Sequence, residues 1–337
     1  LFVVTGGTGF LGVELIKLLL QNGSRVRIIV RSKDNSELSK FEGVEFRYGS
    51  VTDESFMINA CEGADGIFHL AGLVEHSRCA SQQVYSINVD GTKNAMRAAA
   101  KHGCKVVLAS TSGTVAVSRE SWRVRRDADG PADGVIDRWP YYHSKRLAEE
   151  AALHIARDHG VRLVILRPTS FMGPVDLKFM TPRCAEYYHR KTVYLHLVRR
   201  VPSSASGGLS FVDVRDLAPA FVAAMQRPQA DGRGFCLGAN NMTIADFFLR
   251  LEELSGVPAT RVRVPFAVGW AAFAAKEQVL RLLGRQTTVT PVLAEMSSCH
   301  WYVDSAEARV VLNFRPRPGD DTLRDTIAFL RDHADML

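Results

Sequence analysis

The chain has 337 residues, 46% of them apolar, and a formal net charge of +6. This length and composition predict a globular protein that buries a large core, as one α/β unit with a smaller lobe. The positive charge is spread along the chain, and its densest spots are Arg123, Arg125 and Arg126 and the pair at 199–200. The sequence therefore disfavours nucleic-acid binding and favours a pocket for a small anionic ligand.

The cysteines and the chain start bear on the cellular compartment. The six cysteines, at 61, 79, 104, 184, 236 and 299, show no CxxC pair and no metal-ligand spacing. We expect reduced thiols, no metal site and a cytoplasmic protein. Because the sequence begins at Leu1 inside a predicted strand and without Met, we also expect a preceding segment, where a targeting signal would change the compartment.

No apolar stretch reaches the length of a membrane span. The longest one, 266–275, is too short to cross a bilayer and continues in an amphipathic pattern. We expect a core or lid helix there, and contact of residues 265–284 with a membrane surface is the alternative.

Short apolar runs alternate with helical patterns in the first half of the chain. The predicted strands are 1–5, 25–30, 44–48, 66–70, 105–109 and 162–166. The predicted helices are 10–22, 53–61, 82–102 and 141–159, with stop signals at Gly23, Gly103 and Gly160. This alternation predicts an α/β fold with a doubly wound parallel sheet, the Rossmann fold.

The regular alternation of predicted strands and helices ends after Pro174. The predicted elements are a loop at 203–208, a strand entering a helix at 209–218, a strand at 233–238, a capped helix from Thr243 and Asp246 to about Leu254, and a strand at 261–264. We assign residues 1–173 and 209–240 to a nucleotide-binding domain. Residues 174–208 and 241–337 are assigned to a substrate-binding lobe.

Three glycines lie between the first predicted strand and the first helix. Gly6, Gly9 and Gly12 have the spacing G-x-x-G-x-x-G, which allows a tight turn and a close approach of backbone amides to a pyrophosphate. The second strand ends at Arg31, where an acidic residue would bind a free ribose 2′-hydroxyl. Because a guanidinium suits a 2′-phosphate, the sequence favours NADP(H) over NAD(H).

A second pattern predicts acid–base chemistry. Tyr141 and Lys145 are four residues apart on a predicted helix and therefore share a face. A nearby ammonium favours the phenolate, so we expect Lys145 to lower the pKa of Tyr141 toward neutrality. Hydroxyls at Ser110, Thr111 and Ser112 follow the fifth strand, where one of them could hydrogen-bond a substrate carbonyl.

The chain resembles the extended short-chain dehydrogenases/reductases, close to their dihydroflavonol-reductase and 3β-hydroxysteroid-dehydrogenase branch. The resemblance covers nearly the whole chain, through the motifs TGGTGFLG (5–12), GADGIFHLAG (63–72), INVDGTKN (87–94), YYHSK (141–145), LRPTSFMGP (166–174), SFVDVRDLA (210–218) and HWYVDSAEA (300–308).

The resemblance implies roles for individual residues. It makes Thr111 the hydroxyl partner of Tyr141, with Ser112 as the alternative, lets Lys145 bind the nicotinamide ribose, and has Asn88 fix the active-site helix. The further cofactor contacts it implies are Thr8, Phe10, Leu11, Ser50, Val51, Leu70, Ala71, Gly72, Ser110, Pro168 and Thr169. It also implies that His69 is a packing residue and that Asp216 is structural.

Three departures from the family pattern bear on specificity. Ser50 stands where the family usually has an Asp that contacts adenine, so Arg31 gains importance. Ala116 replaces the Asn of dihydroflavonol reductases, which speaks against flavonoid specificity. Ser112 and Gly113 replace the Asp-Glu pair of sugar-nucleotide 4,6-dehydratases, which disfavours dehydration.

We therefore predict an NADP(H)-dependent oxidoreductase that reduces a ketone, or oxidises a secondary alcohol, of an apolar, medium-sized substrate. A steroid, terpenoid, polyphenol or β-ketoacyl compound would suit the apolar residues of the lobe, although each of these residues could instead be core: Phe171, Met172, Phe179, Met180, Tyr187, Phe266, Trp270 and Phe273.

Two alternatives stay open. A sugar-nucleotide epimerase would use the same Tyr and Lys and would need cations for a second pyrophosphate, for which Arg199 and Arg200 are the evident candidates. A non-catalytic NADP(H)-sensing protein is the other. The resemblance allows a monomer or a homodimer formed through the helices at 82–102 and 141–159.

Overall fold

The computed structural model describes residues 1–31, 41–76, 81–130, 132, 134–174, 194–198, 207–257, 261–283 and 291–332. In chain order the strands are β1 (Phe2–Thr5), β2 (Val26–Val30), β3 (Glu45–Tyr48), β4 (Gly66–His69), β5 (Lys105–Ala109), β6 (Leu163–Pro168), β7 (Ser170–Met172), β8 (Tyr194–Val198), β9 (Gly208–Asp213), β10 (Gly234–Leu237), β11 (Asn240–Thr243) and β12 (Arg261–Pro265). The helices are α1 (Phe10–Gln21), α2 (Glu54–Ala60), α3 (Ser81–Tyr85), α4 (Gly91–His102), α5 (Pro140–His159), α6 (Val214–Gln226), α7 (Ile244–Ser255), α8 (Phe266–Leu282), α9 (Pro291–Met296), α10 (Ala306–Val311) and α11 (Gly319–Asp332).

A parallel sheet in the order β10-β6-β5-β4-β1-β2-β3 forms the centre of the molecule. The predicted doubly wound sheet is confirmed, and the six strands predicted for it are present with bounds shifted by no more than a few residues. The chain order of the strands reverses between β1 and β4. Ligands of such sheets bind in the crevice at this reversal, beyond the carboxyl ends of the strands.

Apolar side chains cover both faces of this sheet, which is why its strands read as nearly continuous apolar runs. On one face, side chains of α1 and α6 pack against the sheet, with Leu15 and Phe221 fully buried. On the other face, α2, α4 and α5 contribute residues such as Met57 and Ala152. Because all strands of this sheet are parallel, their carboxyl ends lie at one edge, between the two layers of helices.

The helix predicted over 82–102 is interrupted. A π-helical turn, Ser86–Asp90, separates α3 from α4. The turn contains the buried Asn88, whose backbone oxygen accepts a hydrogen bond from Thr92 Oγ1 at 2.6 Å. A wider turn of this kind is often found at functional sites. The periodicity of the sequence did not reveal it, because the apolar spacing on both sides is helical.

The predicted helix stops are confirmed by the backbone. Gly103 and Gly160 follow α4 and α5 with positive φ angles of +68° and +67°, in the left-handed conformation that favours glycine. The start predicted at Thr243 is also confirmed, since its hydroxyl accepts a hydrogen bond from the backbone N–H of Asp246 at 3.0 Å.

The second half of the chain returns to the main sheet in part. β10 joins its edge beside β6, and α6 packs on its face. β9 instead pairs with β7 and β11 in a smaller sheet. Phe314, which follows α10, packs against the main core. The division into domains at 173, 209 and 240 remains a prediction.

Helix α8 differs from the core helix that its apolar sequence predicted. Its side chains Val268, Val279 and Leu282 are 58%, 53% and 86% exposed. A core position is therefore wrong for these three residues, and the other half of the expectation, a lid helix, stays a prediction. The helix contacts α9, β8 and β12. Among the described residues, no helix is long and apolar enough to cross a membrane.

Candidate cofactor and active site

The glycine turn between β1 and α1 brings backbone close to backbone. Gly6 has a φ of +71°, and a Cβ there would lie 2.7 Å from backbone atoms of both Leu70 and Ala71. A Cβ at Gly12 would collide with the carbonyl oxygen of Gly6. Gly9 is the N-cap of α1, so the amides of this turn face the crevice at the positive end of the helix. The close approach explains why these positions are glycines.

A cavity of about 820 Å³ begins at this turn and runs over the carboxyl ends of β2, β3 and β4. The predicted cofactor residues that line it are Gly6, Thr8, Gly9, Arg31, Ser50, Val51, Leu70, Ala71 and Gly72. It is also lined by Gln82, Gln83, Ser86 and Ile87, which sequence reasoning missed because α3 and the π turn reach the cleft only through tertiary packing. Volume and lining fit the adenosine half of a dinucleotide.

A second cavity of about 460 Å³ continues from the first, and the two share Gly6, Gly9, Leu70 and Gly72. The other predicted site residues that line it are Phe10, Leu11, Gly12, Ser110, Thr111, Tyr141, Lys145, Pro168 and Thr169. The structure therefore brings both groups of predicted residues to one continuous cleft. Its two parts would hold the two halves of a dinucleotide.

Tyr141 lies in the first turn of α5, directly after Pro140 at the first helical position. Its side chain is hydrogen-bonded to Thr111, which lowers the pKa of the phenol, but burial has the larger effect and raises this pKa to about 12. The expected lowering of the Tyr141 pKa by Lys145 is therefore wrong for this arrangement. The phenol is protonated at neutral pH and holds a proton that it can donate.

The hydroxyl partner of Tyr141 was left open between two residues. Thr111 lines the cavity and shares a hydrogen bond with Tyr141. Ser112 is buried in the short 3₁₀ turn that follows. The geometry favours Thr111, because only this hydroxyl lies both in the cavity and beside the phenol.

Lys145 lies one turn after Tyr141 on α5 and is buried. Its Nζ donates a hydrogen bond to the backbone oxygen of Ala109 at 2.8 Å, at the end of β5. Burial lowers the pKa of Lys145 to about 8, against an opposite effect of Glu149, whose charge raises it. The ammonium therefore loses its proton only slightly above neutral pH.

Asn88 connects the π turn to the active-site helix. Its Oδ1 accepts a hydrogen bond from the backbone N–H of Leu73 at 2.7 Å, and its Nδ2 lies 3.1 Å from the oxygen of Leu73. The same Nδ2 donates to Ser144 Oγ on α5 at 2.9 Å. Asn88 lines neither cavity, so its contacts suit a residue that fixes the helix.

Two further residues have the structural contacts expected of them. His69 is buried in β4, its Nδ1 lies 2.9 Å from Thr5 Oγ1, and burial lowers its pKa to about 3. The imidazole is therefore neutral near pH 7 and lines neither cavity. Asp216 on α6 accepts hydrogen bonds from the guanidinium and the backbone N–H of Arg317, which tie α6 to the start of α11.

The walls of the second cavity beyond Tyr141 are mostly apolar. They are formed by Val74, Glu75, His76, Tyr142, Phe171, Leu293 and Met296. Apart from Phe171, sequence reasoning did not single out these residues, because α9 and the segment after β4 meet only through tertiary packing. The Tyr142 ring is a local signal that could have been used, since it follows Tyr141 directly.

Several residues of the predicted apolar lining lie elsewhere. Met172 is in the core of the smaller sheet, and Trp270 and Phe273 line neither cavity. Met172 therefore has the core position that the sequence analysis gave as the alternative, and neither cavity supports a contribution of Trp270 or Phe273 to the substrate pocket. The remaining predicted positions, 179, 180 and 187, and the arginines at 199 and 200 lie outside the described residues, as does the side chain of Phe266.

Comparison with known proteins agrees with this site. Residues 2–238 match the NAD dependent epimerase/dehydratase family. Cinnamoyl-CoA reductase 1 of Petunia hybrida is 31% identical over 250 residues, which cover 69% of this chain and 71% of that protein. Dihydroflavonol 4-reductase of Zea mays is 29% identical over 271 residues, which cover 74% and 73%. The crystal structure of gox2253 has a TM-score of 0.81 and 25% identity over 99% of this chain and 98% of that one.

The chain therefore belongs to the NAD dependent epimerase/dehydratase family, and the resemblance to the extended short-chain dehydrogenases/reductases is confirmed. It is an NAD(P)-dependent oxidoreductase.

Proposed function

We propose that this protein is an NADPH-dependent ketone reductase for apolar, medium-sized substrates. The observation that carries the proposal is the buried cluster of Thr111, Tyr141 and Lys145, which lines a cavity with mostly apolar outer walls. This cavity is continuous with the cleft over the glycine turn. The cluster can stabilise and protonate a carbonyl oxygen, and the cleft fits the cofactor.

Thr111, Tyr141 and Lys145 have different roles in the proposed carbonyl reduction. Pro168 and Thr169 would flank a bound nicotinamide, whose chemistry would be the supply of a hydride to the carbonyl carbon. The Thr111 hydroxyl holds the carbonyl oxygen, and the phenol of Tyr141 donates its proton to that oxygen as negative charge develops. Lys145 stabilises the phenolate left behind with its ammonium. Burial keeps the phenol protonated near neutral pH, so Tyr141 holds the proton that reduction of a carbonyl requires.

Arg31 supports the preference for NADPH. It is exposed at the end of β2 and lines the first cavity, where its guanidinium can approach a 2′-phosphate. Ser50, in the position of the usual acidic residue, hydrogen-bonds Thr52 Oγ1 at 2.7 Å and carries no charge that would repel a phosphate.

The cavity walls and the relatives support the substrate class. Tyr142, Phe171, Leu293 and Met296 offer apolar surface for a ring or alkyl body, while Glu75 and His76 can hydrogen-bond a polar substituent. The relatives named dihydroflavonol 4-reductase and cinnamoyl-CoA reductase have names that refer to compounds with an aromatic ring. We favour an aromatic or polycyclic ketone with at least one hydroxyl group.

The test is to assay a panel of ketones with NADPH and with NADH. The decrease in absorbance of the reduced nicotinamide measures turnover. Aromatic and polycyclic hydroxyketones should be reduced with NADPH, and short aliphatic ketones should be poor substrates. UDP-sugars are tested as alternative substrates in the same experiment. Epimerisation of a UDP-sugar with copurified NAD and no NADPH turnover would overturn the proposal.

A further inference from the structure

A buried carboxylate lies directly behind the proposed active site. Glu149 is one helical turn after Lys145 on α5, and its side chain is 8% exposed. Its Oε1 accepts hydrogen bonds from the hydroxyl of Ser110 and, at 2.9 Å, from that of Thr114. Its two oxygens also accept hydrogen bonds from the guanidinium of Arg167. Nε donates to Oε1 at 3.0 Å and Nη2 donates to Oε2 at 2.7 Å.

The hydrogen bonds around Glu149 and Arg167 continue away from the cleft. Arg167 Nη1 donates to Asp127 Oδ1 at 2.6 Å, and Asp127 Oδ2 accepts from the backbone N–H of Cys236 at 2.6 Å. A Cβ at Gly234 on β10 would collide with Arg167 Nη1, so this glycine leaves room for the guanidinium. Burying two carboxylates with one guanidinium leaves a net negative charge, which is costly unless another cation compensates it. Lys145, one helical turn before Glu149 on α5, is the nearby cation on which the charge of Glu149 acts.

The same contacts join the elements that carry the site. Ser110 and Thr114 flank Thr111, and the Thr114 hydroxyl also lies 2.9 Å from the backbone oxygen of Thr111. Arg167 directly precedes Pro168 at the end of β6. Glu149 therefore connects α5 to the loop of the catalytic hydroxyl and to the strand that leads to the nicotinamide position.

We propose that Glu149 is a positioning residue of the reductase, which fixes Thr111 through Ser110 and Thr114 and keeps Lys145 charged. The inference rests on the proposed function for the roles of Thr111 and Lys145. The residue acts through its neighbours, because it lines neither cavity.

The charged and titratable groups around Lys145 support the proposal that Glu149 keeps the Lys145 ammonium charged. His69 on β4 has its pKa lowered to about 3 and is neutral, and Tyr141 on α5 has its pKa raised to about 12 and is neutral. Asp127 and Arg167 are paired with each other behind Glu149. Glu149 is the neighbour whose charge raises the pKa of Lys145 against the effect of burial.

The test compares three variants by the pH dependence of kcat and of NADPH binding. Glu149→Gln keeps the size and an acceptor oxygen but removes the charge. We expect the alkaline loss of kcat to move toward neutral pH by about one unit, and kcat at pH 7 to fall about tenfold, with a smaller change in KM. Thr114→Val keeps the charge and removes one contact to Glu149, so it should lower kcat without moving the alkaline limb.

Asp216→Asn is the matched control. It also removes the charge of a carboxylate bound to an arginine, but Asp216 contacts Arg317 far from Lys145 and lines neither cavity. We expect its pH profile to match the wild type, whatever the loss of thermal stability. The folded fraction of each variant, measured by circular dichroism, corrects kcat for unfolding.

NADPH binding, followed by its fluorescence, separates failure of this inference from failure of the proposed function, since it needs no ketone. If the wild type reduces no ketone but Glu149→Gln still shifts the pH dependence of NADPH binding, the substrate proposal fails and the role of Glu149 stands. If folded Glu149→Gln has the wild-type profile in both assays, the inference is wrong. If Glu149→Gln does not fold, an unchanged kcat in Thr114→Val overturns it.

Discussion

The two ends of the cleft are built in different ways. At the glycine turn and the ends of β2 and β3, the lining is mostly backbone and small side chains, and Arg31 is an exposed charged group. At the other end, Tyr141 and Lys145 are buried, and Glu149 and Arg167 pair behind them. If the proposed function holds, cofactor choice depends on one solvent-exposed side chain, whereas the chemistry depends on a buried group of side chains supported from several elements.

This difference has an energetic reason. A charge–phosphate contact at an exposed position is screened by water and ions, so replacing it has a moderate effect. Inside the protein, an unpaired or displaced polar group is costly, so each member of a buried cluster depends on the others. Substitutions at the buried end should therefore have larger effects on turnover than substitutions at the exposed end.

The largest effect is expected at the buried end. Tyr141→Phe removes the proton donor and should lower kcat about 10²- to 10⁴-fold, because general acid catalysis typically contributes that much. The measurement is steady-state NADPH oxidation, with thermal unfolding as a check of the fold. Tyr85→Phe is the matched control, since Tyr85 is a half-buried tyrosine whose hydroxyl bonds His143 at 2.6 Å outside both cavities. Similar losses in both variants would contradict the assignment.

A smaller effect is expected at the exposed end. Arg31→Gln should raise the KM for NADPH about tenfold and leave the KM for NADH nearly unchanged, because it removes one charge-assisted contact to the 2′-phosphate. The ratio of kcat/KM for the two cofactors measures it. Arg47→Gln is the control, because Arg47 is an exposed arginine on the neighbouring β3 that pairs with Glu45 and does not line the cavity. An unchanged ratio in Arg31→Gln would show that the phosphate is held elsewhere.

The smallest effect on kcat is expected from a change of pH that removes the proton of Lys145. The ammonium of Lys145 loses its proton as the pH rises through about 8, while the Tyr141 phenol stays protonated up to about 12. Activity in the reductive direction should therefore be retained below pH 8 and fall above it. The pH profile of kcat measures this. Lys145→Arg should remove the limb from whatever activity remains, because a guanidinium stays charged, and a limb that persists in this variant would assign it to another group.

The sequence predicted many of the residues that line the candidate site, because its signals are local. The glycine spacing, Arg31 at the end of the second strand and the Tyr141–Lys145 pair each depend on a few residues of one turn or one helix. Their places in the cleft follow from the rule that parallel strands bring their carboxyl ends to one edge. The pKa of Tyr141 was predicted in the wrong direction, because burial is a property of the packed molecule and has no local signal.

By itself, then, the sequence determined the order of strands and helices, the glycine turn and the residue types of the acid–base pair, since periodicity and spacing are written in neighbouring residues. The tertiary structure alone decided that Leu293, Met296 and Tyr142 line the same cavity, that α8 exposes apolar side chains, and that Glu149 and Arg167 form an ion pair. The physical reason is that these contacts join segments distant in the chain, so only packing fixes which apolar surfaces are buried and which charges share a low-dielectric environment.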